Sequence, residues 1–201
     1  MKKALTHLRQ ADPVMATIIE RVGSFKMDYG EPVFENLVRS IVYQQLHGKA
    51  AATIYGRLQT AAKADPLTPE AILKLRPQKM RSVGLSQGKT TYIRELARAT
   101  RDGKIVFERL AEMDDQQVIE ALTQVKGIGV WTAHMFLIFS LRRPNVLPVG
   151  DLAVRAAIKK AYALAELPKA DQMAQLAEPW HPFCSIASWY LWRSLEGPGA
   201  M

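Results

Sequence analysis

A short glycine turn, Lys126-Gly127-Ile128-Gly129, separates two segments in which apolar residues recur with helical spacing. The apolar positions are Val118, Ile119, Leu122 and Val125 before the turn, and Val130, Ala133, Phe136 and Leu137 after it. Two glycines flanking one apolar residue allow a sharp turn, because glycine adopts dihedrals that a side chain forbids. The pattern predicts two helices in which the first amide N–H groups of the second can hold an anion. A glycine-capped connector without a ligand is the alternative interpretation.

The charge of the chain favours an anionic partner. Its formal net charge is +8, and 48% of its residues are hydrophobic, which is enough to bury a core. Residues 125–161 contain six Lys or Arg and one acid, while residues 36–64 and 71–94 contain four and six basic residues without an acid. Because solvated helix faces normally alternate in sign, these stretches predict one electropositive surface that binds nucleic acid. Unrelated solvated faces on a basic protein are the alternative.

The composition argues against several classes of protein. No apolar stretch approaches the roughly 20 residues of a membrane span, and residues 2–10 are too polar for a secretory signal. The single cysteine, Cys184, excludes an internal disulfide and a four-cysteine iron–sulfur cluster, and the four histidines lack metal-ligand spacing. We expect an intracellular, cytoplasmic monomer without a membrane partner, associated with the nucleoid in a bacterium or located in the nucleus of a eukaryote.

Apolar periodicity predicts an all-α fold, since no segment shows the period-two alternation of a β-strand. The predicted helices cover residues 13–22, 32–46, 49–62, 87–101, 114–122, 151–164 and 183–195. Asp12 is expected to cap the first of them, with Pro13 in its first turn, and Thr68 to cap a helix that begins at Pro69.

The glycine turn, together with the later run Leu147-Pro148-Val149-Gly150-Asp151, resembles the signature of the HhH-GPD DNA glycosylases. The likeness spans residues 32–192 and is strongest to the 3-methyladenine DNA glycosylase II branch. It implies one domain over residues 1–201 with two helical subdomains, about 31–144 and about 1–30 plus 145–201. A cleft between them would take DNA and a flipped base. The implied activity is hydrolytic excision of alkylated purines from double-stranded DNA, which starts base excision repair, without an organic cofactor.

Asp151 is the candidate catalytic residue. Its place at the start of a predicted helix is typical of an N-cap, whose carboxylate accepts backbone N–H bonds. Cleavage of an N-glycosidic bond also develops positive charge at the sugar, which a fixed carboxylate stabilises while it orients the attacking water. Members of the resembled family carry aspartate at the matching position.

Trp131 occupies the position where bifunctional relatives carry a lysine that forms a Schiff base. The resemblance therefore implies a monofunctional glycosylase without AP lyase activity. An indole also attracts a cationic alkylated purine, by about 0.5–2 kcal/mol. The other base-pocket candidates are Phe183, Trp180, Tyr43 and Met135. Core packing is the alternative for each aromatic residue, and we favour it for Trp189 and Trp192. Cys184 stands where family members often carry arginine, a departure that bears on the range of lesions.

The resemblance places a wedge that enters the duplex at residues 44–47. Gln45 is favoured by position, with Leu46 and His47 as alternatives, and a helix end with buried Leu46 would be the structural interpretation. The further DNA-binding candidates are Gln44, Ser86, Lys89, Lys126, Gly127, Gly129 and Thr132. For Ser86 and Lys89 an ordinary helix-capping turn is equally consistent with the residues. Backbone carbonyls of Thr123, Val125 and Ile128 are implied to hold a Na⁺ or K⁺ ion that bridges to a phosphate.

Two other functions compete with this enzyme. A non-enzymatic helix-hairpin-helix DNA-binding module needs neither the carboxylate of Asp151 nor aromatic residues that receive a base. A related glycosylase for mismatched or oxidised bases would carry the cluster cysteines or the Schiff-base lysine, which this chain lacks.

Overall fold

The computed structural model describes residues 1–46 and 48–196, and its regular elements in that part of the chain are all helical. In chain order they are α1 (Lys2–Ala11), α2 (Pro13–Val22), α3 (Phe34–Tyr43), α4 (Gly48–Ala62), α5 (Pro69–Lys74), α6 (Pro77–Ser82), α7 (Gln87–Arg101), α8 (Phe107–Leu110), α9 (Asp115–Thr123), α10 (Val130–Phe139), α11 (Leu152–Ala161), α12 (Ala170–Ala177) and α13 (Cys184–Leu195), with a 3₁₀ turn at Glu178–Trp180. The all-α prediction is confirmed. Within these described ranges, no helix is both long enough and apolar enough to span a bilayer.

The chain forms two compact units. The terminal unit comprises residues 1–29 and the chain from Arg142 onward, and the central unit comprises residues 30–141. The sequence prediction set these boundaries at about residues 31 and 144.

The terminal unit has its core between α1, α2, α11 and α13. Leu8, Ile19, Ile158 and Tyr190 are among the side chains buried there. The sequence did not predict α1. Only Ala4 and Leu8 of this helix are buried, one turn apart, so its apolar face is too narrow to stand out in the sequence.

Asp12 joins three parts of the terminal unit. Its Oδ1 atom accepts the amides of Val14 at 2.8 Å and Met15 at 3.1 Å, which caps α2 as predicted. Its Oδ2 atom accepts the indole N–H of Trp180 at 2.8 Å and the hydroxyl of Tyr162. Burial, and then the bond to Asp12, raise the pKa of the Tyr162 phenol, which therefore donates to the carboxylate. Asp12 itself is only 7% exposed, so four donors depend on one buried carboxylate.

We predict that Asp12→Ala lowers the free energy of unfolding by about 3 kcal/mol or more, because it removes the cap and leaves buried donors without an acceptor. Urea denaturation followed by circular dichroism measures the loss. Asp171→Ala, at an exposed aspartate in α12, is the matched control and should change stability by less than about 1 kcal/mol. Equal losses for the two variants would contradict the role assigned to Asp12.

The central unit is arranged around α7, which packs against α3 and α5. The apolar stripe of α3 is formed by Leu37, Val38, Ile41 and Val42, all fully buried. Val33, inside the range predicted for this helix, is 42% exposed and precedes the helix as its N-cap.

Glu35, in the first turn of α3, accepts hydrogen bonds from three other residues. Its Oε1 atom accepts the Tyr55 hydroxyl at 2.6 Å, the Gln59 amide at 3.2 Å and the backbone amide of Leu67 at 3.1 Å. Burial and this bond to Glu35 raise the pKa of the Tyr55 phenol, so the hydroxyl remains a donor. One carboxylate thus ties α3 to α4 and to the segment before α5.

Candidate functional site

The predicted helix pair around the glycine turn is present as α9 and α10. The amide of Val125 donates to the carbonyl of Leu122 at 3.1 Å, and that of Ile128 donates to Val125 at 3.0 Å. Val125 and Ile128 are buried and anchor the turn, while Lys126 and Gly129 are exposed. Two buried apolar side chains therefore anchor the turn, while its residues Lys126 and Gly129 lie at the surface.

Gly127 is the position where the turn requires glycine. Its φ angle is +95°, and a Cβ atom built on it would lie 2.1 Å from the Cγ atom of Tyr92. Tyr92 belongs to α7, so the ring of a neighbouring helix is packed directly on the backbone of the turn. Gly129 differs, because nothing lies within 4 Å of the position that its Cβ would occupy. Close packing and the dihedral angle both require glycine at residue 127, whereas there is room for a side chain at residue 129.

We predict that Gly127→Ala destabilises the protein by about 3 kcal/mol or more, through the clash with Tyr92 and the unfavourable φ. Gly129→Ala, two residues away, should cost less than about 1 kcal/mol and serves as the control. Thermal or urea denaturation provides both values. In a double-mutant cycle, Tyr92→Ala should relieve part of the Gly127→Ala penalty. Strictly additive effects would show that the ring does not restrict the turn.

The first turn of α10 carries the exposed part of the site. Val130 is 51% exposed and Trp131 is 43% exposed, although both are large and apolar. The first turn of a helix lies at the positive end of its dipole, where backbone N–H groups favour an anion. The Thr132 side chain is buried, which excludes it from direct contact with DNA and leaves only its backbone amide for that role.

The wedge predicted at residues 44–47 falls on the connection between α3 and α4. Gln44 is the C-cap of α3, and its Nε2 atom donates to the carbonyl of Gly127 at 3.3 Å. Gln45 takes a left-handed φ of 56° and is exposed. Leu46 is 39% exposed, so the alternative in which it is buried at a helix end is wrong. His47 lies outside the described residues.

Lys89 is half-buried, and its ammonium bonds within the protein. It donates to the carbonyls of Val42 at 2.8 Å and Gln44 at 2.6 Å. Burial lowers its pKa. These bonds direct its charge at the end of α3, and a contact between Lys89 and the DNA backbone stays a prediction. Ser86 does cap α7, with its hydroxyl accepting the Lys89 amide at 3.2 Å.

The carbonyls proposed for a monovalent cation lie at the end of α9 and in the turn. Thr123 is the last residue of α9, so its carbonyl has no acceptor role inside the helix. The Val125 carbonyl accepts one amide, from Ile128, and a carbonyl has two lone pairs. Neutral oxygen donors of this kind suit Na⁺ or K⁺. Among the described residues, no cluster of three His, Cys, Asp or Glu side chains forms a metal site.

Asp151 is held in a fixed orientation at the start of α11. Its Oδ1 atom accepts the amide of Val154 at 2.8 Å, which confirms the predicted N-cap. The same oxygen accepts the indole N–H of Trp192 at 2.9 Å. Asp151 is 7% exposed, so its charge acts in surroundings of lower dielectric than water. Such a carboxylate can stabilise a neighbouring cation without first reorganising.

The other base-pocket candidates have different surroundings. Trp180 is fully buried and donates to Asp12, so it is a core residue and its assignment to the pocket is corrected. Phe183 is half-buried at the N-cap of α13, with its ring edge-on to His7 at 5.4 Å. Tyr43 is half-buried beneath the Arg39 guanidinium, at 5.3 Å, and Met135 is half-buried on α10.

Cys184 is fully buried, and its Sγ atom lies 3.7 Å from Nδ1 of His181. Burial raises the pKa of its thiol to about 12, so it remains protonated and unreactive in the folded protein. Trp189 is buried in the core as favoured, beside Phe25 and Tyr190.

Sequence reasoning missed the residues that hold this site in place. Trp192 packs against the core as favoured, but sequence reasoning did not predict that its indole also donates to Asp151 from 41 residues away. Tyr92, which packs on Gly127, received no role. Both partnerships join separate helices, and apolar periodicity within one helix carries no information about them.

The chain matches the model of the HhH-GPD superfamily of base excision DNA repair proteins over residues 38–182. It is 36% identical to DNA-3-methyladenine glycosylase 1 of Schizosaccharomyces pombe, over 96% of this chain and 87% of that protein. A structure of the 3-methyladenine DNA glycosylase of the same yeast in complex with abasic DNA superimposes with a TM-score of 0.84, at 36% identity over 94% of this chain and 95% of that one. A DNA-3-methyladenine glycosidase from Bacillus halodurans gives a TM-score of 0.85 at 34% identity, over 94% and 87% of the two chains.

Proposed function

This chain belongs to the HhH-GPD superfamily of base excision DNA repair proteins, and we propose that it is a DNA-3-methyladenine glycosylase of type II. In this proposal a monomer removes alkylated purines such as 3-methyladenine and 7-methylguanine from double-stranded DNA. A relative from Schizosaccharomyces pombe and a solved protein from Bacillus halodurans, each matched over most of this chain, are named DNA-3-methyladenine glycosylase and glycosidase. The observation that carries the proposal is the Asp151 carboxylate, fixed by Val154 and Trp192 at the start of α11.

In the proposed reaction, residues of the central unit bind the DNA duplex. The amides at the start of α10 and the exposed Lys126 bind phosphate oxygens, a contact that is independent of sequence. Gln45 and Leu46, both exposed, fill the space left by the extruded nucleotide. Trp131, 43% exposed, offers its indole face to the flipped cationic base.

The terminal unit provides the charge that acts on the sugar. As the bond between the base and the anomeric carbon lengthens, the base departs with the bonding electrons and positive charge collects on the sugar. The Asp151 carboxylate stabilises that charge and orients a water molecule, whose oxygen adds to the anomeric carbon while one proton of the water is released to solvent. The products are a free base and an abasic site. Alkylated purines are already cationic, so the leaving group departs as a neutral base.

We predict that Asp151→Asn lowers the rate of base excision by about 100-fold or more. Asparagine keeps an oxygen for the bonds from Val154 and Trp192, so the variant loses the charge while it retains the cap. Release of methylated bases from duplex DNA treated with a methylating agent, under single-turnover conditions, measures the effect. Asp171→Asn on α12 is the matched control, since it removes one exposed carboxylate elsewhere.

Affinity for DNA containing a stable abasic analogue separates chemistry from binding. Asp151→Asn should bind it within about threefold of the parent protein, because no phosphate contact is removed. Near-normal turnover by this variant would refute the catalytic assignment.

We further propose that the enzyme is monofunctional. A Schiff base requires an amine, and an indole stands at residue 131 in place of the lysine of bifunctional relatives. The expected result is that borohydride, added during turnover, traps no covalent protein–DNA adduct and that strands break only after alkali or heat. A bifunctional glycosylase/lyase on its own substrate is the positive control. A trapped adduct would overturn this part of the proposal.

We also propose that a monovalent cation contributes to DNA binding. The carbonyls of Thr123, Val125 and Ile128 would hold Na⁺ or K⁺ at the hairpin, and the ion would supply positive charge toward a phosphate. No organic cofactor and no iron–sulfur cluster is part of the proposal.

A further inference from the structure

Lys89 reaches from the first turn of α7 to the last turn of α3. Its Nζ atom lies 2.8 Å from the Val42 carbonyl and 2.6 Å from the Gln44 carbonyl. The final carbonyls of a helix lack partners within it, and they form the negative end of the helix dipole. An ammonium group is suited to this position because it satisfies two acceptors and the local charge together.

The position held by Lys89 is where the chain leaves α3 for the loop that follows. Gln44 ends the helix with φ −51° and ψ 128°, and Gln45 then turns into the left-handed region at φ 56°. A left-handed φ is unfavourable for a residue with a side chain and persists where neighbouring contacts impose it. The bond from Lys89 to the Gln44 carbonyl is such a contact, directly before the strained residue.

The helix that carries Lys89, α7, also contacts the hairpin turn. Tyr92, three residues after Lys89, packs its ring on the backbone of Gly127. Gln44 donates from its side chain to the Gly127 carbonyl at 3.3 Å. α7 therefore contacts both the hairpin turn and the loop after α3, and these two are bonded to each other.

We propose that Lys89 is a positioning residue that sets the loop of Gln44, Gln45 and Leu46 at a fixed place relative to the hairpin turn. The turn holds the phosphates, so this spacing decides how deeply Gln45 and Leu46 enter the duplex when the base is extruded. This inference rests on the proposed function. It assigns the length and charge of the Lys89 side chain to base extrusion rather than to DNA affinity.

The competing role, a direct phosphate contact, makes a different prediction about salt. Each lysine that neutralises a phosphate contributes about −0.9 to the slope of log K against log salt. If Lys89 acts inside the protein, Lys89→Met should leave this slope unchanged. Lys126→Met, at an exposed lysine of the turn, is the matched comparison and should reduce the slope by about one.

Lys89→Met should also lower the excision rate by about 10- to 100-fold, since a displacement of about 1 Å has effects of that size. The fluorescence of 2-aminopurine placed beside the lesion should report less unstacking on binding. In the protein without DNA, hydrogen exchange at the Gln44 and Leu46 amides should become faster than in the parent. These amides donate to Ser40 and Tyr43 at 3.2 Å and report the loop directly.

Restoring the ammonium tests whether the charge at this position is responsible. Lys89→Cys treated with 2-bromoethylamine regains an ammonium on a side chain of nearly lysine length. Cys184 is fully buried, with a thiol pKa raised to about 12, so it stays unmodified in the folded protein. The treated variant should recover slow hydrogen exchange and excision, whereas the same variant treated with iodoacetamide should not.

The outcomes separate this inference from the proposed function. A salt slope reduced by about one in Lys89→Met, or unchanged loop exchange and excision, overturns the positioning role. Loop exchange that depends on Lys89 in a parent protein that releases no methylated base would uphold the contact and overturn the proposed function instead.

Discussion

Two hydrogen bonds to one oxygen of Asp151 are the constraint on which the proposed chemistry depends. Val154 supplies one from the first turn of α11, and Trp192 supplies the other from α13, 41 residues away. The helix α13 is itself fixed in the core by Trp189 and Tyr190. Because packing of the terminal unit sets the direction of the carboxylate, its charge is in place before a substrate arrives and needs no reorganisation during the reaction.

In the central unit, contacts from the side chains of α7 fix the backbone of the neighbouring loops in place. Lys89 bonds two carbonyls at the end of α3, and Tyr92 rests on the hairpin at Gly127. Glu35, at the start of α3, accepts three donors, as Asp12 accepts four in the terminal unit. Each of these polar groups has several partners, which is the condition under which a polar network specifies a structure.

Local chemistry made much of the fold predictable from sequence. Asp12 with Pro13, and Ser86 before Gln87, mark helix starts that the structure reproduces. The short α1 was missed because only two of its residues are buried. The assignment of Trp180 to the base pocket was wrong for a different reason. The sequence cannot show that the indole N–H of Trp180 donates to Asp12, which lies 168 residues away. The partners of Asp151, Lys89 and Gly127 are equally non-local, and residue periodicity within a helix cannot report them.

The basic surface predicted from composition is subject to the same limit. Residues 71–94 contain six basic residues without an acid, yet Lys89 donates to two carbonyls and Arg94 donates to the Leu75 carbonyl at 2.6 Å. Arg155, in a second basic stretch, donates to the Pro168 carbonyl at 3.0 Å. Backbone carbonyls at helix ends and in loops compete for cations that the acid-free sequence predicts to be available to DNA. Fewer positive charges therefore face the phosphates than the net charge of +8 suggests. In the proposed complex the amides at the start of α10 gain in importance, because a helix N-terminus would hold phosphate without a titratable or mobile side chain.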